Sequence, residues 1–258
     1  MPIRILYGKD NKYTYHAGGA IVWDSTAEDE WEETLVKTKF LQTDFQLIET
    51  AVDDWARHVK RMKKSAEDLG FVWNEDIERL TLPLREGRNL RFRGGVISPF
   101  KTQTQFPTSC NDMASTSQKL RLTLDKQGNV QVRLTSSPNP LPQGVWVRIQ
   151  GKVNSHNPFL YHKTTIRDVM PTDVFEHIRT NERGEITEGI FTNVAIEKNG
   201  KLYTPPVSCG LLNGTYRQKL LEEGKLIEKV LYPEDLQSAD KIFCFNSVRK
   251  MVEVQLCL

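Results

Sequence analysis

Tyr161-His-Lys-Thr-Thr-Ile-Arg-Asp168 and Asn181-Glu-Arg-Gly-Glu-Ile-Thr-Glu-Gly-Ile-Phe-Thr-Asn-Val194 lie where strand and helix signals mix most clearly. Upstream, Val145 to Val153 reads as a strand. Between the two stretches the apolar spacing predicts a helix from about Thr165 to Arg179. Downstream, strands are expected at Ile190 to Ile196, Leu202 to Tyr203 and Lys241 to Asn246, with a helix from Thr215 to Glu223. Strands and helices mix, and no internal repeat is visible.

Toward the N-terminus, Ser136-Ser-Pro-Asn-Pro-Leu-Pro-Gln-Gly144 reads as a stiff, extended linker, because closely spaced prolines resist both helix and sheet. Before it, Leu120 to Leu134 alternates on both sides of Lys126-Gln-Gly-Asn129 and reads as a hairpin. Asn89 to Ser117 is rich in Ser, Thr, Asn and Gln and reads as a long surface loop or an ordered insertion. A helix is expected from about Asp53 to Leu69, burying Trp55, Val59, Met62 and Ala66 and stopped by Gly70. Tyr13 to Trp23 reads as a strand ending in Ala20-Ile-Val-Trp23, with Ser25 or Thr26 capping a helix from Ala27 to Phe40.

The chain has 258 residues, with 35 Lys+Arg against 33 Asp+Glu. That length is enough for one large domain or two modest ones, each with a real core. A formal charge of +2 gives no global attraction to nucleic acid or a membrane surface. The basic run Arg57 to Lys64 reads first as the solvated face of a helix. No apolar run reaches the roughly 18 residues of a membrane span. Met1-Pro-Ile-Arg4 does not read as a secretory signal, so a cytoplasmic protein is expected. Cys110, Cys209, Cys244 and Cys257 are far apart and read as reduced thiols, and no His or Cys spacing suggests a metal site.

Two further segments complete the pattern: Tyr203-Thr-Pro-Pro206 and Cys209-Gly-Leu-Leu-Asn-Gly-Thr-Tyr-Arg217. In this order and spacing the four motifs resemble the class IV aminotransferases, the pyridoxal-phosphate enzymes of fold type IV, over about residues 44–258. Within that superfamily they look most like the aminodeoxychorismate lyases, especially the form fused behind aminobenzoate synthase component I. The resemblance implies a two-domain α+β fold, with a remnant at 1–41, a small domain at 42–135 with the inserted loop 89–117, a linker at 136–144 and a cofactor domain at 145–258.

On its own Lys163 reads as a surface lysine. The resemblance makes it the amine that carries pyridoxal 5'-phosphate and moves protons, which requires an amine kept neutral by burial or a nearby cation. Arg167, four residues on, would share a helical face with it and could supply that cation. Glu188, otherwise an exposed carboxylate, is implied to face the pyridine nitrogen, and Asn193 to tie that loop together. Gly214 opening a helix reads either as plain capping or, with the backbone of Thr215 and Tyr216, as half of a phosphate cup. Asn246-Ser247 resembles the family's second phosphate-contacting turn. Arg61, in His58-Val-Lys-Arg-Met-Lys-Lys-Ser-Ala66, resembles the arginine that holds the phosphate, and Thr50 matches a small-domain threonine near the substrate.

The chain also departs from the pattern. Glu49-Thr-Ala-Val-Asp-Asp-Trp55 enters the helix directly where relatives insert a short hairpin, and Val52 stands where they carry arginine. Asn213 replaces a usual proline. No arginine for a substrate carboxylate stands out in the linker, and Arg148 and Arg91 are the candidates. Separately, Ile3 to Thr34 resembles the last strands and helix of chorismate-binding synthases, with Glu30 and Glu33 matching two magnesium-holding glutamates, though a generic β-α unit would look similar. Two exposed glutamates on one helix would hold a hard cation weakly, so no metal is expected.

The resemblance implies a lyase that converts 4-amino-4-deoxychorismate into 4-aminobenzoate and pyruvate, with Lys163 taking the C4 proton and protonating the departing group. It further implies a homodimer, fed by aminodeoxychorismate synthase. A class IV transaminase of D-amino acids, branched-chain amino acids or amines would share every cofactor residue. A non-catalytic descendant is the third alternative.

Overall fold

The computed structural model describes residues 4–9, 12–17, 26, 45–80, 118–136, 145–166 and 173–257. The chain divides into two compact units, Met1–Phe45 and Gln46–Leu258. In the first, β1 (Arg4–Lys9) and β2 (Lys12–Ala17) form an antiparallel hairpin that pairs Arg4 with Ala17. The expected strand at Ala20–Trp23, the helix at Ala27–Phe40 and both Glu30 and Glu33 lie outside the described residues. So do the loop 89–117, with Arg91 in it, and nearly all of the proposed linker.

The second unit holds two sheets. The smaller is antiparallel, in the order β3 (Leu47–Ala51), β4 (Gln118–Leu124), β5 (Val130–Ser136). Leu120, Leu122 and Leu124 of β4 are buried, and so are Val130 and Val132 of β5, the period-two pattern of a half-covered sheet. The β4–β5 turn is tied by the Asp125 carboxylate, which accepts from the N–H groups of Gln127 and Asn129.

Helix α1 (Trp55–Leu69) packs against β3. It buries Trp55, His58, Met62, Ser65 and Ala66, spaced three and four apart along one face. The expected core member Val59 is only half-buried, because the buried stripe passes through His58 instead. Gly70 ends the helix at φ 69°, and Phe71 N–H closes it on the Ala66 carbonyl. A single turn, α2 (Asp76–Arg79), follows.

The larger sheet has seven strands in the order β10-β9-β8-β11-β12-β6-β7. They are β6 (Val145–Lys152), β7 (Glu176–Thr180), β8 (Asn193–Lys198), β9 (Lys201–Thr204), β10 (Ile227–Glu228), β11 (Lys241–Asn246) and β12 (Lys250–Leu256). Val194 and Ile196 of β8 pack with Val147, Ile178, Ile242, Cys244 and Leu231 on one face. Ala195 of β8 and Phe245 of β11 meet Leu220 and Leu226 on the other. Burial on both faces of the central strands leaves no room for polar alternation. Helices α3 (Thr215–Glu222) and α4 (Pro233–Gln237) complete the unit.

The helix expected over Thr165–Arg179 is corrected at both of its described ends, residues 167–172 lying outside the described residues. Glu176–Thr180 is a strand paired in parallel with β6, and Thr164 makes an antiparallel bridge to Leu47. Parallel pairing buries Glu176 through Arg179 on both sides, so the apolar spacing there is not a helical stripe. The strand expected from Ile190 begins only at Asn193, because the Glu176 carboxylate takes the N–H groups of Ile190 and Phe191 and the Thr192 hydroxyl into a loop. A Cβ at Gly189 would collide with that carboxyl group.

Among the described residues no helix is long and apolar enough to cross a membrane. Nor does any described group of three or more His, Cys, Asp and Glu gather as metal ligands.

Candidate active site

Lys163 sits on an extended segment clamped to β3. Its carbonyl accepts from Ile48 N–H at 2.9 Å, and Thr165 N–H donates to the Gln46 carbonyl at 2.9 Å. The lysine is half-buried and opens into a cleft also lined by Arg61, Glu188, Thr215, Asn246 and Ser247. Five sequence motifs, distant along the chain, thus converge on one concavity.

Arg61 owes its place to Glu49, the middle residue of β3. Arg61 Nε donates to Glu49 Oε1 at 2.8 Å and its terminal nitrogen to Oε2 at 2.7 Å, a two-point fork. His58, one helical turn earlier, brings Nδ1 to the same Oε2 at 2.7 Å and Nε2 to the Thr215 hydroxyl at 3.1 Å. Glu49 is 1% exposed and His58 fully buried. Burial alone would raise the Glu49 carboxyl out of the carboxylate range, but the Arg61 charge and the His58 hydrogen bond outweigh it and hold Glu49 well below that range.

Burial pushes His58 below the ordinary histidine value, against the pull of Glu49. A neutral ring in this position donates from Nδ1 to Glu49 and accepts at Nε2 from Thr215. The Thr215 hydroxyl is therefore directed at His58, and what α3 presents to the cleft is backbone. The first intrahelical bond is Gln218 N–H to the Gly214 carbonyl, so the N–H groups of Thr215 and Tyr216 lie in the first, open turn. Gly214 is required here because a Cβ would run into the Asn193 side chain.

Glu188 is fixed from three directions. Asn193 Nδ2 donates to Oε2 at 3.1 Å, Leu212 N–H donates to Oε1 at 3.1 Å, and Arg179 brings a terminal nitrogen to within 3.5 Å of Oε1. Asn193 also donates to the Leu212 carbonyl at 2.9 Å, while Arg61 reaches the Asn213 carbonyl at 3.3 Å. The segment Leu212–Gly214 therefore has a cation on one flank and a carboxylate on the other. Asn246 caps its own turn, accepting from Val248 and Arg249 N–H, and Ser247 is nearly buried.

Other expected residues fall elsewhere. The Tyr216 side chain packs edge-on against Phe245 in the core, and of the two only Thr215 lines the cleft. Thr50 is half-buried, its carbonyl 3.4 Å from the Ser247 hydroxyl, and it does not line the cleft. Arg167 lies outside the described residues, and the segment from Lys163 to Ile166 is not the helix that would have stacked it on Lys163. Arg148 pairs with Asp173 away from the cleft. Three residues given no role from the sequence prove central: Glu49, His58 and Arg179. Only His58 carried a signal, as a histidine one turn before Arg61.

Residues 49–257 match the amino-transferase class IV family. The chain belongs to that family. Residues 1–43 match a second family, the chorismate binding enzymes. Among class IV relatives, a Schizosaccharomyces pombe protein named "Putative aminodeoxychorismate lyase" is 27% identical over 209 residues, 75% of this chain and 80% of that one. The Bacillus subtilis aminodeoxychorismate lyase is 26% identical over 217 residues, 77% of this chain and 70% of its own. A solved structure from Mesorhizobium loti, named "Putative amino-acid aminotransferase", superposes with a TM-score of 0.64 at 30% identity, covering 83% of this chain and all of that one.

The donor set of this class IV cleft fits a phosphate-bearing aromatic aldehyde. Arg61 has five N–H donors, of which Glu49 and Asn213 take three, leaving donors for an anion. The open turn of α3 and the Ser247 hydroxyl line the same cleft. Lys163 offers an amine and Glu188 a carboxylate held by neutral and cationic donors.

Proposed function

We propose that this chain is a pyridoxal-phosphate-dependent 4-amino-4-deoxychorismate lyase that releases 4-aminobenzoate and pyruvate. The observation that carries the reading is the convergence of Arg61, Lys163 and Glu188 on one cleft. The two lyase relatives, matched over three quarters of the chain, support the substrate. When bound, the cofactor supplies an electron sink for negative charge developing at the amine-bearing carbon.

The chain's own residues do the rest. Arg61, the first backbone N–H groups of α3 and the Ser247 hydroxyl bind the phosphate, with Asn246 shaping the turn that carries Ser247. Glu188 accepts the N–H of the ring and keeps it oriented. Lys163 carries the cofactor, then as a free amine takes the C4 proton of the substrate and gives a proton to the departing enolpyruvyl group. Loss of that ether makes the ring aromatic, so the step is strongly downhill and orientation is the main requirement. Thr50 and Arg167 stand as substrate-side residues of the same reading. A small domain at 42–135, a cofactor domain at 145–258, a cytoplasmic homodimer and supply by aminodeoxychorismate synthase complete it.

The test is purified protein incubated with pyridoxal phosphate and aminodeoxychorismate freshly made by a synthase, following 4-aminobenzoate. Turnover is expected, and Lys163→Ala should abolish both turnover and the visible absorbance of bound cofactor. A second reading, a class IV transaminase, is favoured by the 30% identity to the Mesorhizobium loti protein. Absence of 4-aminobenzoate with cofactor bound, together with lasting bleaching by D-alanine, L-leucine or an amine, would replace the first reading by the second.

A further inference from the structure

Arg179 is a buried cation that the proposed chemistry does not use. It lies on β7 directly opposite Glu188: its N–H donates to the Glu188 carbonyl at 3.0 Å and its carbonyl accepts from Thr187 N–H at 2.9 Å. The side chain doubles back over this pairing. A terminal nitrogen stands 3.5 Å from Glu188 Oε1 and 3.4 Å from the Gly189 carbonyl, and the residue lines the same cleft as Lys163. Its side chain is 11% exposed and that of Glu188 12%, so water screens this pair poorly.

Two features argue that this arginine does more than fill space. Glu188 is already oriented without it, by Asn193 on one oxygen and Leu212 N–H on the other. Placing a guanidinium on a strand buried on both faces is costly, and an apolar side chain would complete the layer without that cost. What the arginine adds is charge. A carboxylate that shares its negative charge with a guanidinium is a weaker partner for a second cation on its other side, and two cations around one carboxylate disfavour each other.

We propose that Arg179 is a positioning and tuning residue for Glu188, sharing its charge so that a pyridine nitrogen bonded to Glu188 releases its proton more readily than it would beside an unshared carboxylate. The inference rests on the reading in which Glu188 faces that ring nitrogen. A softened sink suits a reaction whose product is aromatic, because the aromatisation itself supplies the driving force.

The experiment reads the ring nitrogen directly. The holoenzyme is prepared with pyridoxal phosphate labelled with 15N in the ring, and the 15N signal is followed against pH for wild type, Arg179→Met, Arg179→Gln, Arg179→Lys and Glu188→Gln. Arg179→Met is expected to hold the ring proton to a pH higher by on the order of one unit, the scale of one neighbouring charge. Arg179→Lys, which keeps the charge, should fall between that variant and wild type. Glu188→Gln should lose the proton at lower pH.

A titration of Arg179→Met that coincides with wild type, or moves down, while Glu188→Gln shifts as expected, overturns the tuning role and leaves the Glu188 reading standing. If Glu188→Gln does not move the titration, Glu188 does not face the ring nitrogen and both fall. Should Arg179→Met not fold, Arg179→Gln must titrate above Arg179→Lys, and equality of those two overturns the proposal.

Discussion

Arg61 and Glu188 bring opposite charges into the same cleft, and each has a buried counter-charge behind it, yet the two pairs are built differently. Behind Arg61 stands Glu49, joined to it by a two-point fork at 2.7 and 2.8 Å and extended through His58 to Thr215. Behind Glu188 stands Arg179, at 3.5 Å, while the finer orientation comes from neutral donors. The tight pair fixes where a cation sits, which is what a doubly charged phosphate needs. In the proposed reading the looser pair adjusts how strongly a ring nitrogen bonded to Glu188 holds its proton. On that reading one side of the cleft serves position and the other charge.

The largest effect should come from the tight side. Glu49→Ala leaves the Arg61 guanidinium without its buried partner and is expected to cost about 3–5 kcal/mol of stability, the scale for breaking a buried pair. Urea unfolding of the unliganded protein measures it. A loss under 1 kcal/mol would mean that Glu49 does not hold Arg61 in solution, and the positional half of the comparison would fail.

Next is Glu188→Gln, which keeps shape and removes charge. Turnover should fall by about 10²-fold, the scale of one lost electrostatic partner in a water-poor site, with cofactor affinity little changed. A variant that loses cofactor but turns over normally once saturated would show that Glu188 serves position too. Arg61→Met should do the reverse, weakening cofactor binding by about 10- to 100-fold through loss of charged hydrogen bonds worth about 1.5–3 kcal/mol, while saturated turnover stays close to wild type. Cofactor titration and kcat at saturation separate the two outcomes.

The motifs showed the charges that face the cleft but not those behind them. Lys163, Glu188 and Arg61 stood in recognisable segments, and α3 and β11 followed from ordinary patterning. Glu49 and Arg179 were illegible because neither stretch read as a strand and a polar residue normally signals a solvent-facing position, whereas here each is buried against an opposite charge from another element. The β7 error has the same root. Val174, Phe175 and Ile178 fall at helical spacing, while His177 and Arg179 look like the polar side of such a helix. In the structure those two are buried, each within 3.5 Å of a carboxylate, so the contrast that separates strand from helix vanishes. Periodicity reports water on one face, and neither face of β7 meets water.

The smallest effect concerns His58, and its sign follows from burial. The folded state depresses His58 below its ordinary value of 6.5. Between that value and the lowered one, the unfolded chain binds a proton that the folded chain refuses, so folding stability falls as pH drops through this window and is fully present above it. Glu49, also depressed, works in the same direction, but only once the pH nears the carboxylate range, below its ordinary value of 4.5. Melting temperature followed from pH 7.5 to 5 should therefore decline in wild type before any carboxylate titrates. His58→Gln can still donate to Glu49 and accept from Thr215 but has no ring to protonate, so its melting curve should be flatter across that interval whatever its absolute stability. Parallel slopes would mean that His58 binds its proton alike in the folded and unfolded chain, and a wild-type decline shallower than the variant's would mean that His58 is charged in the folded protein. Glu49 would then be an anion between two cations, and the link from Arg61 to the start of α3 would loosen or tighten with pH instead of staying fixed.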